Sequence, residues 1–94
     1  MAASVGEARD LLKALANERR LMILCQLVEG ERSVGVLVEK LDLAQAMVSQ
    51  QLAILKREGL VCSRREGQSI YYALDNEPAA KILQVLYDSF CPEQ

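Results

Sequence analysis

"SVGVLVEKLDLAQAMVSQQLAILKREGL", residues 33–60, reads as helix, tight turn, helix. Ser33 can cap a short helix whose apolar side carries Val34, Leu37, Val38 and Leu41. Asp42 to Gln45 then separate it from a second helix that buries Val48, Leu52 and Leu55 and stops at Gly59. In a helix-turn-helix the second helix enters the major groove and its N-terminal residues face base edges. Here those positions hold Gln45, Ser49 and Gln50, with Ala46 and Met47 beside them. Glutamine pairs bidentately with adenine, and serine reaches base edges or phosphate. Gln45 and Ser49 are four apart and share the face opposite the buried residues. Lys56 and Arg57 follow at the far end.

Immediately behind lies "LVCSRREGQSIYYAL", residues 60–74, where the period changes from helical to alternating. Leu60 to Arg64 and Ser69 to Leu74 read as two strands, with Glu66-Gly67 as the turn. Arg64, Arg65 and Gln68 then sit at the tip. A basic-tipped hairpin after a recognition helix is a wing, reaching phosphates or a minor groove. Either piece alone is adequately read as a solvated charged turn or an ordinary amphipathic helix. Their consecutive order points to DNA.

Upstream, Ser4-Val-Gly-Glu7 has the form of a capping box, followed by Val5, Ala8, Leu11, Leu12 and Leu15 at helical spacing. Asn17 caps a second helix with the stripe Leu21, Leu24, Cys25 and Val28, ended by Gly30. Downstream, Asp75, Asn76 and Pro78 open a last helix. The expectation is a mainly α chain with a β-hairpin wing, a winged helix-turn-helix of order α-α-α-α-β-β-α. It forms one domain over residues 1–94, with the helix-turn-helix at 33–58, the wing at 60–74 and dimerisation helices at 4–16 and 77–91.

The last helix is too apolar for one core. Ile82, Leu83, Val85, Leu86, Tyr87 and Phe90 cover an arc of roughly 200°, where a helix buried on one side needs little more than ~100°. A second copy is the economical partner. The expected homodimer is held by the first and last helices, through Leu11, Leu12, Leu83, Leu86, Tyr87 and Phe90.

Composition narrows the classes. The chain is 51% hydrophobic but 4% aromatic, which leans helical. No apolar run approaches the ~18 residues of a membrane span, and no basic-then-apolar leader opens it. A cytoplasmic protein with no membrane association is expected. Net charge is −2, against a generally basic nucleic-acid binder. The distribution is uneven, however: Leu43 to Leu74 holds Lys56, Arg57, Arg64 and Arg65 against only Glu58 and Glu66. Local positive charge is what phosphate recognition needs. There is no histidine, and the three cysteines form no CxxC pair, so no disulfide scaffold or zinc knuckle fits. No cofactor and no metal are called for, and no enzymatic activity.

The run "LLKALANERRLMILCQL", the helix-turn-helix and "LVCSRREGQSIYYAL" together resemble the ArsR-type winged-helix repressors, over nearly the whole chain. That resemblance implies a small homodimer that binds an inverted-repeat operator in double-stranded DNA and leaves it when an inducer binds. Most of the family sense metals or arsenite. Their metal cysteines would fall at the start of the third helix, where this chain has Ser33 and Gly35. A site on the last helix would need His and acidic ligands, so zinc, nickel or cobalt sensing is poorly supported. Two further departures concern the operator: Ala44 stands where a serine commonly caps the recognition helix, and Gln51 where histidine is common.

Cys25, in "LMILCQL", and Cys91, in "SFCPEQ", are similar to the cysteine pair of the sulfide- and persulfide-responsive branch, the SqrR and BigR branch. The resemblance implies that reactive sulfur species, persulfide or polysulfide, link the two thiols within one subunit. Read without it, Cys25 is a small hydrophobe in an apolar stripe. Cys91 closes a helix whose C-terminal dipole disfavours a thiolate. Cys62, on the first wing strand, is read as incidental. The alternatives are an arsenite- or soft-metal-responsive repressor using the same cysteines and, in another class, a thiol enzyme.

Overall fold

The computed structural model describes residues 2–90, with side chains from Ser4 onward. In chain order the elements are α1 (Ala2–Leu15), α2 (Glu18–Val28), β1 (Arg32–Ser33), α3 (Val34–Leu41), α4 (Gln45–Arg57), β2 (Val61–Glu66), β3 (Ser69–Leu74) and α5 (Glu77–Phe90). This is a winged helix-turn-helix, mostly helical with a small antiparallel wing.

Local chemistry sets most boundaries. Asn17 Oδ1 accepts from the Arg20 amide at 3.1 Å and starts α2. Ser33 Oγ accepts from Val36 N at 3.2 Å and starts α3, and Asn76 Oδ1 accepts from Ala79 N at 3.0 Å beneath α5. Such caps satisfy amides that the first helical turn leaves without carbonyl partners. Asp42, at φ 56° and ψ 46°, ends α3 in the left-handed conformation that a short polar side chain tolerates. Ala44 precedes α4 with no side-chain cap at all.

Three expectations need correction. Ser4 and Glu7 lie inside α1, which begins at Ala2, so they form no capping box. The hairpin register pairs Glu66 with Ser69, which makes Gly67-Gln68 the turn in place of Glu66-Gly67. Gly67 has φ 64° and Gln68 does not share the positive sign, the pattern of a type II′ turn that matches strand twist. The sheet also has a third strand, β1, which pairs antiparallel with β3 in the order β1-β3-β2.

The core is continuous. Ile23, Leu24 and Leu27 of α2 meet Leu37, the Val48–Leu52–Leu55 stripe of α4, Leu60, Val61 and, from α5, Ala79 and Leu83. Among the described residues it holds no buried polar or charged residue. α5 packs along α2, and among the described residues α1 packs on the hydrophobic core through Leu11, Ala14 and Leu15 near its C-terminal end.

Candidate DNA-binding face and thiol pocket

α4 lies with Val48, Leu52 and Leu55 fully buried, which turns Gln45, Ala46, Ser49 and Gln50 outward as one exposed, uncharged face. Met47 is half-buried beside it. Gln51 faces inward and accepts from Arg20 Nε at 3.0 Å; the same guanidinium reaches Ala14 O at 3.3 Å and Glu58 at 3.6 Å. Gln51 therefore ties α4 to α2. At the other end Lys56 Nζ donates to Ser63 Oγ at 2.8 Å, which fixes the wing base against α4. Arg57 is exposed.

The wing basic residues differ in what they are free to do. Arg64 donates from Nε and Nη2 to both oxygens of Glu31, at 2.7 and 2.8 Å, and from Nη1 to Glu66 at 2.9 Å. Its guanidinium also lies over the Tyr71 ring, 4.8 Å from the centroid. The hydrogen bonds from Arg64 hold the Glu31 carboxyl below the usual glutamate range, and the two carboxylates hold Arg64 all the more firmly charged. Arg64, expected at the tip as a phosphate contact, is half-exposed and braces the wing through Glu31 and Glu66. Among the described residues Arg65 donates only to Gly67 O, at 3.2 Å, and is exposed, as is Gln68 in the turn.

Cys25 is half-buried in the wall of a pocket of about 600 Å³ between α2 and the C-terminal half of α5, with Leu21, Met22, Leu86, Tyr87 and Phe90 around it. Cys91 lies outside the described residues. Phe90, its neighbour in sequence, lines that same pocket. Cys62 is exposed on β2, away from it. Among the described residues, no three His, Cys, Asp or Glu gather in a way that could hold a metal ion.

The residues expected at a dimer interface divide. Leu83 is fully buried within its own chain, so its assignment to an interface is corrected: it is core. Leu11 is half-buried against that core. Leu86 and Tyr87 are half-buried at the pocket, and the Tyr87 hydroxyl donates to Glu29 Oε2 at 2.7 Å. Leu12 is 56% exposed and Phe90 76%, joined by Val5 and by Val85 at 63%. Glu29 and Glu31 were not legible as site residues, because their partners stand 58 and 33 positions away.

An exposed N-terminal half of a recognition helix beside a braced hairpin defines a DNA-binding winged-helix protein. Residues 17–63 match the family described as "Bacterial regulatory protein, arsR family". The chain belongs to the ArsR family. It is 45% identical over 86 residues to the transcriptional activator HlyU of Vibrio cholerae, covering 92% of this chain and 80% of that one. It is 47% identical over 89 residues to the biofilm growth-associated repressor of Agrobacterium fabrum, covering 94% and 76%. The structure of reduced HlyU from V. cholerae N16961 superposes with TM-score 0.90 at 44% identity, over 97% of this chain and 96% of that one. A homodimeric winged helix-turn-helix DNA-binding domain from Mycobacterium bovis superposes with TM-score 0.77 at 36% identity, over 99% and 89%. No described helix is long and apolar enough to cross a membrane.

Proposed function

We propose that the chain is a homodimeric, cytoplasmic transcriptional repressor. Reduced, it binds an inverted-repeat operator; persulfide or polysulfide links Cys25 to Cys91 and releases it. The observation that carries the DNA reading is the exposed, uncharged face of α4, with Gln45, Ser49 and Gln50 for base edges and Arg57, Arg65 and Gln68 for the backbone. Lys56 sits between them, engaged by Ser63.

The switch reading is supported by the pocket that Cys25 shares with Phe90. In the proposed chemistry the Cys25 thiolate attacks the sulfane sulfur of RSSH, giving Cys25–S–SH and RSH. The Cys91 thiolate then attacks the Cys25 sulfur and expels HS⁻, leaving a disulfide. Overall, two thiols and RSSH yield the bridge, RSH and H₂S; where a second RSSH first converts Cys91 to Cys91–S–SH with release of RSH, its terminal sulfur attacks the Cys25 sulfur, expels HS⁻ and leaves a trisulfide. A structure of HlyU described as reduced supports a regulator with a distinguishable redox state. The relatives include both a repressor and an activator, and repression is the first-order effect of occupying an operator.

The dimer reading is supported by the apolar side chains that α1 and α5 leave in water, Val5, Leu12, Val85 and Phe90, and by the homodimeric neighbour. The test is a gel shift with the chain's own upstream DNA, reduced and after persulfide. Binding when reduced and release after treatment are expected. Absence of binding in both states would sink the repressor reading.

A further inference from the structure

One polar path runs from the thiol pocket to the wing. Tyr87 lines the pocket with Cys25, and its hydroxyl donates to Glu29 Oε2 at 2.7 Å. The other oxygen of that carboxylate accepts from Arg32 Nη2, also at 2.7 Å. A single side chain at the C-terminal cap of α2 thus joins α5 to β1. From β1 the connection is backbone: Arg32 pairs with Tyr72 and Ser33 with Tyr71, both on wing strand β3. Ser33 is also the N-cap of α3, the first helix of the helix-turn-helix. Between them Glu31 holds Arg64, which stacks on Tyr71. The five residues 29–33 therefore touch the last helix, the wing and the helix-turn-helix together.

We propose that Tyr87, Glu29 and Arg32 are positioning residues that report the place of α5's last turn to the wing, and so make the thiol state readable at the DNA-binding face. The inference rests on the thiol-switch reading above. The physics favours a two-position element over a soft one. Hydrogen bonds of 2.7 Å are lost once separation passes about 3.5 Å, so a shift of about 1 Å at the end of α5 is enough to break the tie. Arg32 Nη2 donates to Glu29, and its Nε is buried with no partner among the described residues. If Glu29 follows Tyr87 away, Arg32 loses its Nη2 partner while its buried Nε already has none, a cost that favours β1 moving with Glu29.

Tyr87→Phe tests this, since it removes the hydroxyl and keeps the ring. Bridge formation is read by intact mass, and operator affinity is read before and after persulfide. Reduced Y87F should bind within about threefold of the parent, the usual range for a surface change. It should form the same bridge, yet the bridging-induced loss of affinity, about 5–150-fold for typical coupling, should fall below a third of the parent's. Glu29→Gln should act the same way, and the double variant should do no more than either single one. A Y87F protein that bridges and releases DNA like the parent overturns the proposal. A second readout is independent of sulfur chemistry: amide exchange at Arg32, Ser33, Tyr71 and Tyr72 in the reduced protein. Faster exchange there in Y87F supports the path, and unchanged exchange overturns it. A parent that forms no bridge refutes the thiol switch instead, and the exchange readout still decides the path. Should Y87F not fold, E29Q is read by the same two criteria.

Discussion

At the level of single residues, charge counting and charge availability part company on the wing. Four basic residues between Leu43 and Leu74 made that segment look like a contact face. Arg64 is nonetheless held by Glu31 and Glu66, and Lys56 leans on Ser63, so Arg65 and Arg57 are the cations left with free guanidinium edges among these four. Each phosphate contact changes the log–log salt slope of DNA binding by about 0.9. Arg65→Ala should flatten that slope by about one unit, and Arg64→Ala by well under half of that; the reverse order would restore Arg64 as a phosphate contact. The same pair has a pH signature. Because the Arg64 hydrogen bond lowers the folded-state pKa of Glu31, its contribution to wing stability is present above the ordinary glutamate range. It is lost as pH falls through the lowered value. Carboxyl titration followed by NMR should show Glu31 moving upward, toward the ordinary range, in Arg64→Ala. Ala44 is the other informative residue. It occupies an extended N-cap geometry, φ −63° and ψ 137°, without a side-chain acceptor. Ala44→Ser should stabilise the fold by about 1 kcal/mol, or about 4–8 °C in Tm for a domain of this size. An unchanged Tm would mean that the α4 amides already find equivalent partners.

At the level of elements, what could be read from the chain was what local chemistry fixes. Asn17, Ser33 and Asn76 mark helix starts because a cap is a contact between residues three apart. The α4 stripe is legible because burial of Val48, Leu52 and Leu55 follows helical period. β1 was not legible: two residues carry no alternation, and Arg32-Ser33 becomes a strand only because β3 offers an edge to pair with. The Ser4–Glu7 pattern misled for the opposite reason, since the helix simply begins earlier. On α5 the wide apolar arc was legible, but not its division. Ala79 and Leu83 face the core, while Val85 and Phe90 face water together with Val5 and Leu12 of α1. Those four define the proposed dimer face, and Leu12→Glu tests it cleanly because an exposed side chain contributes little to the core. Light scattering should report monomers with retained helix content, and operator binding should collapse because two half-sites about 34 Å apart need two linked recognition helices. A dimer of unchanged stability would place the interface elsewhere.

At the scale of the whole molecule, two surfaces share one small core. The thiol pocket lies where α5 closes on α2, and the DNA face lies on α4 and the wing. Between them lie an apolar core, the Arg20–Gln51 tie from α2 to α4, and the polar path through Glu29 and Arg32 to the wing. A coupling of about 1–3 kcal/mol between the two surfaces suffices to empty an operator. Neither Cys25 nor Cys91 belongs to α4 or the wing, so their serine variants should bind DNA as the parent does and differ only in response. Cys62→Ser should respond like the parent. The most direct test of the central claim is operator affinity of the Cys91→Ser protein before and after persulfide, with intact mass taken on the same samples. The account predicts that it stays bound after treatment and shows no intramolecular sulfur bridge, while the parent bridges and lets go. Release of DNA by Cys91→Ser would contradict it.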